Sequence, residues 1–241
     1  EDRGIKADVT AKAEAAIPDT AVFGSNTSTL PITGLAKASS RPANFIGVHY
    51  FSPVDKMPLV EIIMGEQTSD ETLAKALDYV GKIKKTPIVV NDSRGFYTSR
   101  VFATYVNEGI AMLKDGVVPA VIENVGKAAG MPVGPLALAD EVSLGLMHHV
   151  MTQTRKDLGD KYQAGPSDEV IDLFVEKLSR AGKKDGKGFY DYPTDAKKRL
   201  WPDLGEHFAP SVEETDLDDL RKRFLYIQAV ETARCVEENV V

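Results

Sequence analysis

Two hydrophobic rhythms divide this chain near residue 93, and no single layer of structure accommodates both. Before that point, short runs rich in β-branched and aromatic residues alternate with a helical pattern. The runs at 45–51 (FIGVHYF), 59–65 (LVEIIMG) and 86–92 (TPIVVND) read as strands, and 21–24 reads as a shorter one. Residues 5–17, rich in Ala, Lys and Glu, read as a helix ended by Pro18-Asp19, and SDETLAKALDYVGKI reads as a helix opened by Ser69. Strands interleaved with helices predict an α/β layer with a mostly parallel sheet. From Gly95 onward the period becomes 3.6: Val101, Phe102, Tyr105, Val106, Ile110 and Leu113 recur at helical spacing. Further helices are expected near 119–129, 136–158 and 168–181. The stretch 193–214 has Pro, Trp and mixed charge without a period and reads as a linker. Leu217, Leu220, Phe224 and Ile227 mark a last amphipathic helix.

The 241 residues suffice for one large or two modest domains, and the apolar fraction of 43% with 27% charged residues is ordinary for a globular protein. No apolar run approaches the roughly 20 residues that span a bilayer. A net charge of -7 argues against nucleic acid as a partner, which needs a basic surface. The single cysteine, Cys235, rules out an internal disulfide and a multi-cysteine metal site. His148 and His149 point about 100° apart on a helix and read as surface or packing residues, so no metal site is expected.

Chemistry concentrates in the first part. His49 lies near a strand end, and Glu61 sits among apolar neighbours, where a charge is costly unless paired. If the two strands are adjacent, a His–Glu pair can form. A carboxylate accepting from one imidazole nitrogen fixes the tautomer and leaves the other nitrogen free for proton transfer. The bland alternatives are a structural histidine and an edge-strand glutamate facing water. SNTST (25–29) follows a strand and offers hydroxyls and an amide at a sheet edge, where open α/β folds bind ligands. On the sequence alone an ordinary turn or helix cap accounts for it better. The basic, glycine-rich GKKDGKG (182–188) offers lysines to an anion, or is a solvated turn. The sequence contains no G-x-G-x-x-G, and neither GKIKK nor GKKDGKG has the spacing of a dinucleotide or phosphate loop.

The run SNTSTLPITGLAKASSRPANFIGVHYFSPVDKMPLVEII closely resembles the second half of the NAD-binding domain of 3-hydroxyacyl-CoA dehydrogenases. TPIVVNDSRGFYTSR, GPLALADEVSLGL and GKGFYDY resemble the family's helical domain, in the same order. The final DLRKRFLYIQAVETARCVEENVV is similar to the helix that opens a second helical domain in the multifunctional β-oxidation α-subunit. The resemblance thus implies a partial NAD-binding domain over 1–92, lacking its first βαβ unit. A helical dehydrogenase domain over 93–192 follows, then the linker and the start of a second helical domain over 215–241. An opening at Glu1 without Met fits a segment internal to a longer protein with an enoyl-CoA hydratase domain upstream.

The resemblance implies NAD as cofactor and a (3S)-hydroxyacyl-CoA as substrate, oxidised to the 3-ketoacyl-CoA. In that reading His49 is the base and Glu61 its partner. Ser28 touches the substrate's 3-oxygen and the cofactor, Glu1 and Lys6 line the nicotinamide ribose, and Lys184 reaches the cofactor from the helical domain. The family usually has Asn where this chain has Ser99, at a substrate contact, and Ser52, at a cofactor contact. The resemblance leaves room for a thiolase subunit as partner in a β-oxidation complex and for homo-oligomers. It implies a cytoplasmic protein if bacterial, and a mitochondrial or peroxisomal one if eukaryotic. Two other readings stay open: an inactive fragment of such an enzyme, and a dehydrogenase of similar design acting on a small hydroxy acid.

Overall fold

The computed structural model describes residues 2–209 and 216–241. They form two compact units: residues up to Val101 together with Glu231–Val241, and Phe102–Val230.

In the first unit, helix α1 (Arg3–Glu14) precedes strand β1 (Phe23–Ser25) and a short helix α2 (Ile32–Ala36). Strands β2 (Phe45–Tyr50) and β3 (Leu59–Met64), helix α3 (Asp70–Lys82) and strand β4 (Thr86–Asn91) follow. The sheet order is β1-β2-β3-β4. β1/β2 and β3/β4 are parallel and β2/β3 is antiparallel, so two of the three pairings are parallel, in keeping with the mostly parallel sheet expected. The eight residues between β2 and β3 are too few for a parallel crossover, which needs about a dozen or more. Helix α2 falls in a segment to which the sequence assigns no element; its five residues carry too little of the helical period to show it.

Alternation sorts the strands onto two faces. Ile46, Val48, Val60 and Ile62 pack with Ala76 and Val80 of α3. Phe45, Ile63 and Val90 pack with Ile32, Leu35 and Phe96. Gly47 lies on the second face, directly opposite Ile63. A Cβ there would come within 2.7 Å of Ile63 and 2.9 Å of Ile32, so this close approach of α2 to the sheet requires glycine.

The second unit is helical. Helix α4 (Phe96–Lys114) starts in the first unit and continues into the second, followed by α5 (Pro119–Ala128), α6 (Pro135–Val142), α7 (Leu144–Leu158) and α8 (Pro166–Asp172). Tyr105, Ile110, Ile122, Leu136, Phe174 and Phe189 lie at its core. The helix expected over 136–158 is two helices. Ser143 adopts φ 86°, its hydroxyl donates to the Ala181 carbonyl (3.1 Å), and the Gly182 backbone packs against the break. The helix expected over 168–181 stops earlier: after α8 the chain widens into a π-turn, Leu173–Lys177, and Ser179 turns to φ 53°.

The stretch expected to be a linker contains structure. β5 (Tyr190–Asp191) pairs antiparallel with β6 (Arg199–Leu200), and a one-turn helix α9 (Leu204–His207) follows. Trp201 lies 4.2 Å from the Arg180 guanidinium and edge-on to Phe174. Elements this short show no period, so only these apolar anchors betray them. The last helix, α10 (Leu217–Glu237), expected to open a further domain, contributes to both units. Its Phe224 ring lies 5.0 Å from that of Tyr105 in the second unit. In the first unit its end is held by Arg100–Glu231 (2.7 Å), and the chain beyond it by Asn91 N–H to the Val240 carbonyl (2.9 Å). Cys235 is buried there.

Candidate active site

The strand register alone sets the central pair. His49 and Glu61 are direct cross-strand partners of β2 and β3, and both follow the face that carries Gly47 and Ile63. Opposed residues on one face stand close enough to bond. His49 Nδ1 lies 2.9 Å from Glu61 Oε2, with His49 7% and Glu61 0% exposed. Phe51 (4.6 Å) and Phe96 (6.3 Å) flank the imidazole.

A buried carboxylate persists only if its oxygens are satisfied. Glu61 Oε1 accepts from the backbone N–H groups of Tyr97 (3.0 Å) and Thr98 (2.9 Å), and Oε2 accepts from the Thr98 hydroxyl (2.7 Å) as well as from His49. Glu61 therefore caps the N-terminus of α4, where the first amides lack helical partners and the helix dipole favours negative charge. Gly95 (φ 83°) and Phe96 (φ 47°) turn the chain so that α4 begins at Glu61. Asp92, just after β4, does the same for α2, accepting from Ile32 N–H (2.8 Å) and Thr33 N–H (2.7 Å).

The loop after β1 is fastened beside the pair. Asn26 Oδ1 accepts from Tyr50 N–H (2.9 Å), next to His49, and Thr27 Oγ1 accepts from Leu30 N–H (3.1 Å). Ser28 is half-buried in this loop, at the C-terminal edge of the parallel β1/β2 pair. Ser99 is half-buried on α4, one residue past Thr98. The structure thus brings His49, Glu61 and the 25–29 loop together. Lys6 is half-buried on α1, Ser52 is exposed just beyond β2, and Lys184 is exposed in a turn of the second unit. Glu1 lies outside the described residues. His148 approaches Glu176 (3.2 Å) and Asp172 (3.4 Å) rather than acting with His149. Arg155 also holds Asp172, by both carboxylate oxygens.

Sequence reasoning finds the amide of Asn26 in the 25–29 loop but misses Thr98 and Asp92. Only Asp92 carries a local signal, an acidic residue closing a strand just before Gly95. A second buried acidic centre, in the helical unit, is likewise missed. Asp140 accepts from Phe189 N–H (2.8 Å), Tyr190 N–H (2.9 Å) and Tyr192 Oη–H (3.0 Å), and burial pushes its carboxyl up to about 6. Glu123 accepts from Leu136 N–H (2.7 Å) and Tyr190 Oη–H (2.8 Å). These bonds fasten the GKGFYDY segment to α5 and α6 as a structural anchor.

A mixed α/β layer with a buried imidazole–carboxylate pair beside a strand-end loop, continuing into a helical unit, is the frame of a two-domain α/β enzyme. Residues 1–93 match the family described as 3-hydroxyacyl-CoA dehydrogenase, NAD binding domain, and residues 95–192 match the 3-hydroxyacyl-CoA dehydrogenase C-terminal domain. The (S)-3-hydroxybutyryl-CoA dehydrogenase of Ralstonia eutropha is 34% identical with a TM-score of 0.73, over 80% of this chain and 68% of that one. The dehydrogenase part of multifunctional enzyme 1 from C. elegans is 28% identical with a TM-score of 0.66, over all of this chain and 55% of that one. The fatty acid oxidation complex subunit alpha of Vibrio cholerae is 39% identical over the whole chain, which spans 34% of that protein's length. This chain belongs to the 3-hydroxyacyl-CoA dehydrogenase family.

Proposed function

We propose that the protein carrying this chain oxidises a (3S)-hydroxyacyl-CoA to a 3-ketoacyl-CoA in fatty-acid β-oxidation, with NAD as cofactor. The observation that carries the reading is the buried His49–Glu61 bond, which leaves Nε2 of His49 as the acceptor for a proton. Glu61 takes the Nδ1 proton's hydrogen bond, fixes that tautomer, and stabilises the imidazolium formed when Nε2 removes the hydroxyl proton of substrate. Phe51 and Phe96 hold the ring and limit water around it. Bound NAD supplies the hydride acceptor.

The residues of the first unit fit the nicotinamide end of such a cofactor. The 25–29 loop, fastened by Asn26, lines the sheet edge beside His49, with Ser28 there to meet the substrate oxygen and the cofactor. Lys6, Glu1, Ser52 and Lys184 are assigned to cofactor contacts by resemblance, and Ser99 to substrate. The sequence has no glycine-rich turn for the pyrophosphate, and none of its residues is assigned to that group. The Vibrio cholerae relative is, by its name, a subunit of a fatty acid oxidation complex; a thiolase subunit as partner is proposed from the sequence resemblance alone.

In the intact protein, His49→Gln lowers kcat by about 10²-fold or more with little change in KM. A variant that keeps near wild-type kcat overturns the assignment. Substrate profiling separates acyl-CoA thioesters from small hydroxy acids.

A further inference from the structure

We propose that Thr98 is a positioning residue that sets how strongly Glu61 supports the proton on His49. The inference rests on the reading of His49 as base. Three observations lead to it. The Thr98 hydroxyl donates to Glu61 Oε2 at 2.7 Å, the same oxygen that faces His49 Nδ1 at 2.9 Å. The other oxygen is already occupied by two backbone amides, so the four bonds fill the carboxylate's acceptor sites. Glu61 is fully buried, and in such surroundings each donor on one oxygen changes the charge available to the next.

The direction follows from electrostatics. The hydroxyl draws negative charge on Oε2 toward itself, so Glu61 stabilises an imidazolium on its other side less than an unshared oxygen would. Removing the hydroxyl returns that charge to the His49 bond and favours the protonated ring. The surrounding charged groups leave Glu61 in control. On α4, Arg100 is paired with Glu231 and Glu238 at the end of α10. Cys235 of α10 senses the Glu61 charge, but burial pushes its thiol up and keeps it neutral. The aromatic rings beside the imidazole, Phe51 just beyond β2 and Phe96 at the start of α4, are uncharged.

Thr98→Val keeps the side chain's shape and both backbone amides while deleting the hydroxyl. In the intact protein it moves the acidic limb of the kcat/KM profile upward by about half to one pH unit. Thr98→Ser, which keeps the hydroxyl, leaves the limb at its wild-type position. An unchanged or downward-shifted limb in Thr98→Val, or a Thr98→Ser limb that moves with it, overturns the proposal. If Thr98→Val does not fold, Thr98→Ala is read by the same criteria. His49→Gln, measured in parallel, separates the two ideas. Activity surviving in that variant removes the base assignment itself, whereas its loss alongside an unmoved Thr98→Val limb removes only the role given to Thr98.

Discussion

At Glu61 a single side chain caps a helix and orients an imidazole, and these two duties constrain what can replace it. In Glu61→Gln the carbonyl oxygen is needed by the Tyr97 and Thr98 amides, which at the start of α4 precede the carbonyls that would pair them within the helix. The NH₂ group is then left facing His49 Nδ1. It donates, Nδ1 becomes the acceptor, and the proton moves to Nε2, the nitrogen meant to take one. A base locked in the wrong tautomer elsewhere costs about 10⁴-fold in kcat. Glu61→Gln is therefore expected to lose about 10³–10⁴-fold in kcat while folding normally, checked by steady-state kinetics beside a thermal melt. Activity within about tenfold of wild type would mean that the tautomer is set by something other than Glu61. The pair itself is legible in the sequence: two β-rich runs separated by a short loop, with a histidine and a misplaced charge 12 residues apart. Thr98 is not legible there, because its partner lies 37 residues earlier and a threonine in the first turn of a helix looks like any other.

Elements are legible where they are long and periodic, as in β2, β3, β4, α3 and α5, and obscure where tertiary contacts decide them. The break between α6 and α7 exists because the Ala181–Gly182 backbone passes against Ser143; a serine before Leu-Gly is the one local hint of a helix start there. The β5/β6 hairpin and the pinned Trp201 are hidden for the same reason. Gly188 shows how narrow this packing is. A Cβ at that position would fall 1.9 Å from Asp140 Oδ1 and 2.4 Å from its Cγ. Gly188→Ala must push the carboxylate off the Phe189 and Tyr190 amides, leaving buried polar groups unpaired. A destabilisation of about 3 kcal/mol or more is expected, a fall in Tm of roughly 10 °C by calorimetry. A Tm within about 2 °C of wild type would show that the segment yields instead.

On the scale of the whole chain, the change of rhythm near residue 93 foretells an α/β part followed by a helical part. It does not show that α4 and α10 each supply residues to both units, since a helix carries no mark of what packs against its two halves. Stability as a function of pH is a property of the folded whole, and here Asp140 gives it a sign opposite to that of an ordinary paired carboxylate. Its buried carboxyl titrates at about 6, against 3.8 for the unperturbed group. As pH rises from about 4, the unfolded chain loses this proton first while the native state keeps it, so the native state binds more protons. The slope of stability with pH from this group is then negative: its contribution is full below the unfolded value and is lost as pH passes the folded one. About two units of difference amount to on the order of 2–3 kcal/mol. Asp140→Asn removes the titration, at the constant cost of an NH₂ group set against donors. The stability of wild type relative to Asp140→Asn should therefore shrink by that amount between about pH 4 and pH 7, while contributions of other carboxylates cancel in the difference. Trp201 is the only tryptophan of the 241 residues and lies in the same unit, so urea unfolding followed by its fluorescence reports this region directly. A difference that stays flat across the window, or grows with pH, would mean that the amides and Tyr192 hold Asp140 ionised despite its burial.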